Sequence, residues 1–364
     1  MISLGLGEHR RAALGAGRRV RLLIVDDSSS MRNLLTRVLH EESWIEVVGT
    51  ASDGEDALRR VAELRPDVIT LDVEMPHLNG LEALRRIRKS WPSIVVIMLS
   101  SLTETGAAAT IDALMNGAND YVSKTPPPGC TDAPQARLRR ELVTRIRQFF
   151  SAPEPVRVAV SPLPPAVISA APRSKGKRRV VAIGVSTGGP TALNDVIPVL
   201  PANLTLPVLV VQHMPAMFTR ILAERLDSAS RLSVCEGADG MPVEAGHVYI
   251  APGGFHMTVR SRGGRECIAL DESAPEHSCR PAVDPMLRSV NAVYGKSAIG
   301  VILTGMGQDG LLGCQLLKKT GACIIAQDER SSVVWGMPGA VARAGIADAV
   351  LDIKSVVPEI LKQL

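Results

Sequence analysis

The stretch "VVAIGVSTGGP", residues 180–190, decides how the second half of the chain folds. Its apolar run predicts a buried strand, and the glycine-rich turn that ends in Pro190 predicts the start of a helix. Residues 184–188 also match G-x-S-x-G, the pattern of a serine held on a sharp strand-to-helix turn. Ser186 could therefore be a nucleophile, a cap for the helix, or part of a loop that cradles a phosphate. The loop alone does not separate these three interpretations.

Two downstream segments favour the nucleophile. "LPVLVVQHM" places His213 just after a predicted strand, and "SAIGVILTGMGQDG" places Asp309 just after another. Because the carboxyl ends of parallel strands share one edge of a sheet, we expect Ser186, His213 and Asp309 to meet there. In that arrangement His213 deprotonates Ser186 and Asp309 orients the imidazole, whereas a phosphate loop needs neither residue. The order Ser, His, Asp differs from that of α/β-hydrolases, in which the acid precedes the histidine.

Other residues are weaker candidates for these roles. Asp284 and Asp328 are rival acids, but neither follows a strand into a glycine-rich turn as Asp309 does. "TGMG", residues 304–307, offers backbone N–H groups beside Asp309 for a developing oxyanion. We interpret the other histidines as surface or packed residues; they are His9, His40, His77, His247, His256 and His277.

The first half of the chain alternates short apolar runs with helical segments. The runs "RLLIVDD", "IEVVGTA", "PDVITLD", "SIVVIMLSS" and "NDYVSK" predict five strands. The predicted helices lie near residues 29–42, 54–64, 79–90, 105–116 and 137–150. Such alternation is typical of an α/β fold with a doubly wound parallel sheet, and a second alternation starts at Val180.

A proline-rich segment separates the two halves. Residues 151–172 hold six prolines, and "RSKGKRR" follows, which indicates an extended, semi-rigid linker. We therefore predict two doubly wound parallel-sheet domains, the second one larger, Rossmann-like and carrying a hairpin-rich insert in residues 231–270. The predicted divisions are an N-terminal extension at 1–20, a five-stranded domain at 21–150, a basic linker at 151–179 and a catalytic domain at 180–364.

Acidic side chains follow two strands of the first predicted sheet. Asp26 and Asp27 end its first strand and Asp72 ends its third. Three carboxylates at one sheet edge repel one another unless a hard cation such as Mg²⁺ neutralises them. Ser100 ends the fourth strand and Lys124 follows the fifth, so a hydroxyl and an ammonium group could bind an anion near that metal.

Composition excludes several classes of protein. Aromatic residues make up 3% of the chain and the formal charge is +4, which argues against a single-stranded nucleic-acid platform and requires no polyanionic partner. No apolar run is long enough to span a bilayer, and the first twenty residues make a poor signal peptide. The six cysteines include no C-x-x-C pair, so we expect free thiols in a reducing compartment.

The acidic cluster, with "LDVEMPHLNG", resembles the receiver domain of two-component response regulators over residues 21 to about 145. The resemblance implies that Asp72 accepts a phosphoryl group and binds Mg²⁺ together with Asp27. It further implies that Asp26 acts through water, that the main-chain oxygen of Glu74 completes the ligands, and that Ser100 and Lys124 hold the phosphoryl oxygens.

The whole chain resembles a larger family. A receiver, a linker and then "GVSTGGP", "VQHMP", "YIAPGGFHM", "RPAVDPML" and "LTGMGQDG" are similar to the chemotaxis protein-glutamate methylesterases of the CheB family, over about residues 21–350. This resemblance implies hydrolysis of glutamate γ-methyl esters on chemoreceptors, with release of methanol, and deamidation of receptor glutamines. It implies Ser186 as nucleophile, His213 as base and Asp309 as orienting acid, with Thr187 and the Met306 amide in the active-site shell.

The resemblance also implies the setting of the enzyme. Its partners would be methyl-accepting chemotaxis receptors as substrate and a chemotaxis histidine kinase as phosphodonor, in the cytoplasm, with no nucleic acid and no membrane insertion. The esterase reaction would need no cofactor, and the unphosphorylated receiver would restrict access to the catalytic edge. The alternative is a non-enzymatic regulator whose receiver controls a nucleotide- or phosphate-binding module, which leaves His213 and Asp309 without a role.

Overall fold

A computed structural model of the protein describes residues 18–101, 103–125, 133–150 and 178–364. The predicted N-terminal extension and linker lie almost entirely outside the described residues, as does Cys130. The other five cysteines are free thiols. Among the described residues, no helix has the length and apolar character needed to cross a membrane.

The first unit is a five-stranded parallel sheet with helices on both faces. Its strands are β1 (Val20–Val25), β2 (Ile45–Ala51), β3 (Val68–Asp72), β4 (Val95–Ser100) and β5 (Asp120–Ser123). Its helices are α1 (Ser29–His40), α2 (Gly54–Leu64), α3 (Gly80–Ser90), α4 (Glu104–Met115) and α5 (Pro134–Phe150). The strand order β2-β1-β3-β4-β5 is the doubly wound order that the sequence predicts.

Local sequence explains where these helices begin. The side chains of Ser28, Asp53, Asn79 and Thr103 each accept a hydrogen bond from a backbone N–H in the first turn of α1, α2, α3 and α4. Such caps satisfy donors that the helix itself leaves unpaired. The fully buried apolar residues of β3 and β4 are typical of strands covered on both faces.

The second unit is a larger parallel sheet of the same kind. Its strands are β6 (Val180–Val185), β7 (Val208–Gln212), β8 (Ser233–Glu236), β9 (His247–Ile250), β12 (Ala298–Ile302), β13 (Cys323–Gln327) and β14 (Ala349–Leu351). Its helices are α6 (Gly189–Val196), α7 (Ala216–Ala229), α8 (Val283–Tyr294), α9 (Leu311–Thr320), α10 (Met337–Arg343) and α11 (Ile353–Lys362). The order β14-β13-β12-β6-β7-β9-β8 puts β6 at the centre, between β12 and β7.

An antiparallel hairpin interrupts this unit, as predicted, but it is shorter than the segment 231–270. Strands β10 (His256–Arg262) and β11 (Arg265–Asp271) pair through a turn at Gly263 and Gly264, which both have positive φ. β8 and β9 instead extend the main sheet, in parallel pairing with each other and with β7. The sequence did not reveal this because short, partly polar edge strands resemble hairpin strands in pattern.

The two units pack against each other through helices. α4 of the first unit lies on α6 and α7 of the second. Tyr121 stacks on Phe218 with ring centroids 4.7 Å apart, and Arg225 of α7 forms an ion pair with Asp112 of α4 at 2.7 Å. Arg220 pairs with Glu104. These contacts place the end of β5 and helix α5 over the carboxyl edge of the larger sheet.

Candidate active site and its receiver

Three neighbouring strands bring the predicted catalytic residues together. β12, β6 and β7 lie side by side in parallel, so their carboxyl ends open onto one edge. Ser186 directly follows β6, His213 directly follows β7, and Asp309 lies in the loop between β12 and α9. The chain order Ser, His, Asp thus becomes the spatial arrangement Asp, Ser, His along the sheet.

The Ser186 loop is fixed by its own backbone. The Ser186 N–H donates to the Thr304 carbonyl at 3.0 Å, and the Gln212 amide donates to the Ser186 carbonyl at 3.1 Å. The N-cap of α6 is Gly188, at φ 77°, with no side-chain capping bond. Ser186 therefore does not cap the helix, and its hydroxyl is left for another purpose.

His213 and Asp309 form a partly buried hydrogen-bonded pair. The His213 Nε2 atom lies 2.8 Å from Asp309 Oδ2, and the carboxylate also accepts the backbone N–H groups of Val283 at 2.6 Å and Asp284 at 2.9 Å. Three donors hold the carboxylate in one orientation. Asp309 thus engages Nε2, and Nδ1 is the ring nitrogen that would take the Ser186 proton in a triad.

The same contacts set the protonation of the pair. Burial lowers the pKa of His213, but hydrogen bonds to Asp309 and Cys279 more than offset it and raise the pKa to about 9. For Asp309, burial raises the pKa, yet the hydrogen bonds from His213 and the two amides bring it below its usual value. An anionic Asp309 beside an imidazolium is the state that a triad reaches when its base has accepted a proton.

Ser186 and His213 share a cleft without touching. Both line a small, open cavity between the two units. Among the described residues, no hydrogen bond joins the Ser186 hydroxyl to His213. Catalytic hydrogen bonds are often long in enzymes without substrate, so the lack of a hydrogen bond between Ser186 and His213 is compatible with a catalytic pair.

The loop after β12 closes the other side of Ser186. Gly305 lies so close that a Cβ placed on it would come within 2.7 Å of Ser186 Cβ. The neighbouring Met306 is 47% exposed, and no partner for its N–H is found within the described parts of the chain. Thr187 is buried, and its carbonyl accepts a hydrogen bond from the Thr304 hydroxyl.

A tight turn behind the triad carries His277, which the sequence predicts to be only a surface or packed residue. Glu276 and Cys279 exchange two backbone hydrogen bonds, and His277 and Ser278 between them both have positive φ. His277 Nε2 lies 3.0 Å from Asp284 Oδ2, and Asp284 is completely buried beside Asp309. Non-glycine residues in this conformation are uncommon and concentrate at functional sites. Their positive φ was the one signal, and it is invisible in the sequence.

The receiver-like unit gathers its acidic residues as predicted. Carboxylate oxygens of Asp26, Asp27 and Asp72 all lie within 4.8 Å of one another. Lys124 Nζ contacts Asp26 at 2.8 Å and Asp72 at 2.7 Å. This oxygen-only donor set fits Mg²⁺, because three carboxylates, two buried and one exposed, lie together and Lys124 contacts only two of them. Glu74 is exposed in the loop after β3.

Ser100 is placed at the same edge but faces helix α4. Its hydroxyl donates to the Ser101 carbonyl at 3.0 Å and accepts from the Thr110 hydroxyl at 2.6 Å. Asp72 is buried, which raises its pKa against the opposing effect of Lys124. The structure thus brings Lys124 to the acidic cluster and turns Ser100 away from it.

The receiver-like unit reaches directly into the catalytic loop. The buried carboxylate of Asp120, at the start of β5, is held by Arg145 at 2.9 Å and by Gln148 at 2.7 Å. The Thr187 hydroxyl lies 3.1 Å from Gln148 Oε1 and 3.4 Å from Asp120 Oδ2. Asp120 and Arg145 also line the cavity that contains Ser186 and His213. Access to that cavity is therefore narrowed by the other unit.

Known proteins resemble both units in this order. Residues 22–129 match the family model for the response regulator receiver domain, and residues 181–360 match the one for CheB methylesterase. A protein-glutamate methylesterase/protein-glutamine glutaminase of Trichodesmium erythraeum is 42% identical over 351 residues, which cover 95% of this chain and 99% of that one. The protein of the same name in Thermotoga maritima is 45% identical, over 95% of this chain and 99% of its own. The crystal structure of the Thermotoga maritima CheB methylesterase catalytic domain is 44% identical, covers 52% of this chain and all of its own, and has a TM-score of 0.51.

Proposed function

Because the chain belongs to the CheB methylesterase family, with a receiver domain ahead of the methylesterase domain, we propose that Ser186, His213 and Asp309 are the residues that perform its reaction. The protein is a protein-glutamate methylesterase and protein-glutamine glutaminase regulated by phosphorylation. Its substrates are glutamate γ-methyl esters and particular glutamines of chemotaxis receptors. The observation that supports the catalytic assignment is the His213–Asp309 pair, which lies at the same sheet edge as Ser186.

The reaction follows from the geometry in two steps. His213 Nδ1 takes the Ser186 proton while the oxygen attacks the ester carbonyl, and the oxyanion is stabilised by the backbone N–H of Met306. His213 then gives the proton to the departing methoxide, so methanol leaves and an acyl-serine remains. In the second step His213 deprotonates a water, which attacks the acyl group, and the same proton passes to the departing Ser186 oxygen, so the glutamate side chain is freed and the enzyme is restored. With glutamine as substrate, ammonia leaves in place of methanol.

Asp309 contributes through orientation and charge. The amides of Val283 and Asp284 fix its carboxylate, which in turn holds the imidazole of His213 through Nε2. Its negative charge stabilises the imidazolium that forms in both steps. Thr187 belongs to the same loop and lines the cavity that would accept the ester.

The receiver domain supplies the control. We assign Asp72 as the phosphoryl acceptor, with Asp26, Asp27, Asp72 and the main-chain oxygen of Glu74 as the surroundings of Mg²⁺. Bound Mg²⁺ neutralises the acidic cluster and the incoming phosphoryl charge. Lys124 would then exchange its ion pairs with Asp26 and Asp72 for the phosphoryl oxygens, and Ser100 would leave α4 to bind them.

Helix α4 offers a route by which a change at the phosphorylation site reaches the active site. Ser100 is hydrogen-bonded to Thr110 of α4, and α4 is the helix that packs on α6 and α7. A change at Ser100 therefore acts on the helix that holds the two domains together. We propose that the closed arrangement is the unphosphorylated, restrained state, and that a chemotaxis histidine kinase is the phosphodonor in the cytoplasm. Domain limits at 21–150 and 180–364, joined by the linker, fit this division of labour.

Methanol release from a methylated chemoreceptor fragment tests the assignment. Wild type should release methanol faster when acetyl phosphate and Mg²⁺ are added. Ser186→Ala should lower the rate at least about 1000-fold under both conditions, because the acyl-serine cannot form. Asp72→Asn is the matched control: it should keep the basal rate and lose the stimulation. Methanol release by Ser186→Ala would refute the nucleophile, and stimulation of Asp72→Asn would refute the phosphoryl acceptor.

The alternative of a receiver-controlled phosphate-binding regulator is not favoured. The relatives that match nearly the full length are named as enzymes. The His213–Asp309 pair, at the same sheet edge as Ser186, would have no role in a phosphate-binding loop.

A further inference from the structure

An exposed apolar surface begins beside the nucleophile and is not used by the reaction. Met306 is 47% exposed in the loop that presses on Ser186, and Leu312 is 54% exposed in the first turn of α9. Leu316 follows one turn later at 36% exposure. Lys319, one further turn along, is exposed as well. We call Leu312, Leu316 and Lys319 the α9 stripe.

Helix geometry puts these three residues on one line. Side chains three or four positions apart lie on the same face of a helix, so Leu312, Leu316 and Lys319 succeed one another from the active-site edge outward. The opposite face of α9 is buried through Leu311, Cys314 and Leu317. The stripe is therefore the solvent side of a helix that starts directly after Asp309.

The stripe lies away from the receiver domain. The receiver packs on α6 and α7, whereas α9 packs on α8, α10 and β13. Within the described parts of the chain, the main contacts of the receiver helices with the catalytic domain are on α6 and α7, and not on α9. The stripe is thus accessible in the same arrangement in which the receiver narrows the Ser186 cavity.

We infer that the α9 stripe, together with Met306, docks the receptor helix that carries the methyl ester; this inference rests on the proposed function. A glutamyl side chain spans only roughly 6 Å from its backbone, so the helix that bears it must lie against the surface next to Ser186. Helices are commonly recognised through apolar residues at i and i+4, which Leu312 and Leu316 match in spacing. Single exposed leucines are ordinary, but Met306 and Leu312 lie three positions before and three positions after the catalytic Asp309 in the chain.

The charge of Lys319 defines how the receptor helix is oriented along the α9 stripe. Lys319 ends the stripe with a positive charge, and the product of each reaction is a glutamate carboxylate on the receptor helix. An acidic residue one or two turns from the ester would therefore pair with Lys319. The occupant that fits is an amphipathic helix with small or apolar residues and neighbouring glutamates.

Two measurements on the full-length protein test the docking surface. The first is the affinity of a methylated receptor fragment for Ser186→Ala protein, which holds the substrate without converting it. The second is hydrolysis of a small soluble ester, p-nitrophenyl acetate, by protein with Ser186 intact. Leu312→Glu combined with Leu316→Glu should weaken receptor binding about tenfold or more while the small-ester kcat/KM stays within about twofold.

Val199→Glu is the matched control. Val199 is 62% exposed, in the turn after α6, so the substitution replaces an exposed apolar side chain by a carboxylate on another surface and should leave receptor affinity unchanged. Lys319→Glu should weaken binding at low salt and converge with wild type at high salt.

Three results would overturn the inference. They are equal receptor affinity with and without the double substitution, an equal loss in Val199→Glu, and an equal loss of small-ester hydrolysis. If wild type binds the fragment through the stripe but releases no methanol from it, the docking surface stands and the proposed function fails.

Discussion

At the scale of single residues, His213 carries a proton that it must lose before it can act as a base. His213 needs to be neutral to accept the Ser186 proton, yet its contacts with Asp309 and Cys279 raise its pKa to about 9. A raised pKa means that the base is mostly protonated at neutral pH. Protonation of His213 therefore opposes its action as a base at neutral pH.

The pH profile of basal activity follows from this. Small-ester kcat/KM of unphosphorylated protein should rise about tenfold per pH unit from pH 7 and level off above about pH 9, as His213 loses its proton. Asp309→Asn should shift the midpoint downward, because the carboxylate that favours the imidazolium is gone, and should lower the plateau by roughly 10³-fold to 10⁴-fold. A profile that is flat between pH 7 and 9 in wild type would contradict this assignment.

At the scale of elements, sheet topology does most of the placement. β12, β6 and β7 are neighbours, so three residues that lie far apart in the chain meet at one edge. Helix α4 performs the second placement, since its contacts with α6 and α7 seat the receiver over that edge. The Arg225–Asp112 pair is bidentate, with N–O distances of 2.7 and 3.0 Å, but it is partly exposed.

Charge reversal at this pair should loosen the seat. Arg225→Asp places two carboxylates together and should raise basal small-ester activity roughly twofold to fivefold, the modest effect expected of an exposed pair. Asp112→Arg together with Arg225→Asp should restore the wild-type rate, because the ion pair is rebuilt with its charges exchanged. A double variant as active as the single one would show that the pair does not hold the closed arrangement.

How much of this the sequence predicts depends on the kind of signal. The strands, the strand-end positions of Ser186, His213 and the receiver acids, and the two-unit order all come from apolar runs that end in polar or glycine-rich turns. The place of β8 and β9 in the main sheet was not predicted because edge strands are short and partly polar. The placement of His277 and of Asp120 was not predicted, for different reasons. His277 is placed by a left-handed backbone at non-glycine residues, and Asp120 is placed by a contact between the two units that no local pattern encodes.

At the scale of the whole molecule, two domains share one cleft. Residues of both line the cavity at Ser186, so the receiver forms part of the catalytic surroundings. The Thermotoga maritima catalytic domain crystallised as a separate chain, and its similarity here extends over its full length. The catalytic unit of this chain is accordingly expected to fold without its receiver.

Removal of residues 1–175 should therefore release the restraint. Basal methylesterase and small-ester activities should both rise, by roughly fivefold to a hundredfold, the usual range of coupling between sites. Acetyl phosphate should no longer change either rate. A folded product with unchanged or lower activity would count against a purely restraining receiver, and circular dichroism with a thermal melt would establish that it is folded.

The contact of Asp120 and Gln148 with Thr187 has a consequence that runs opposite to the usual direction of signalling. The receiver contacts the Ser186 loop through Thr187, so under the proposed function receptor and receiver would compete for that loop. Linked equilibria are reciprocal: any factor by which phosphorylation tightens receptor binding is also the factor by which bound receptor favours the phosphorylated form. A methylated receptor would thus help to retain the phosphoryl group on the enzyme that demethylates it, and a fully demethylated one would let it go.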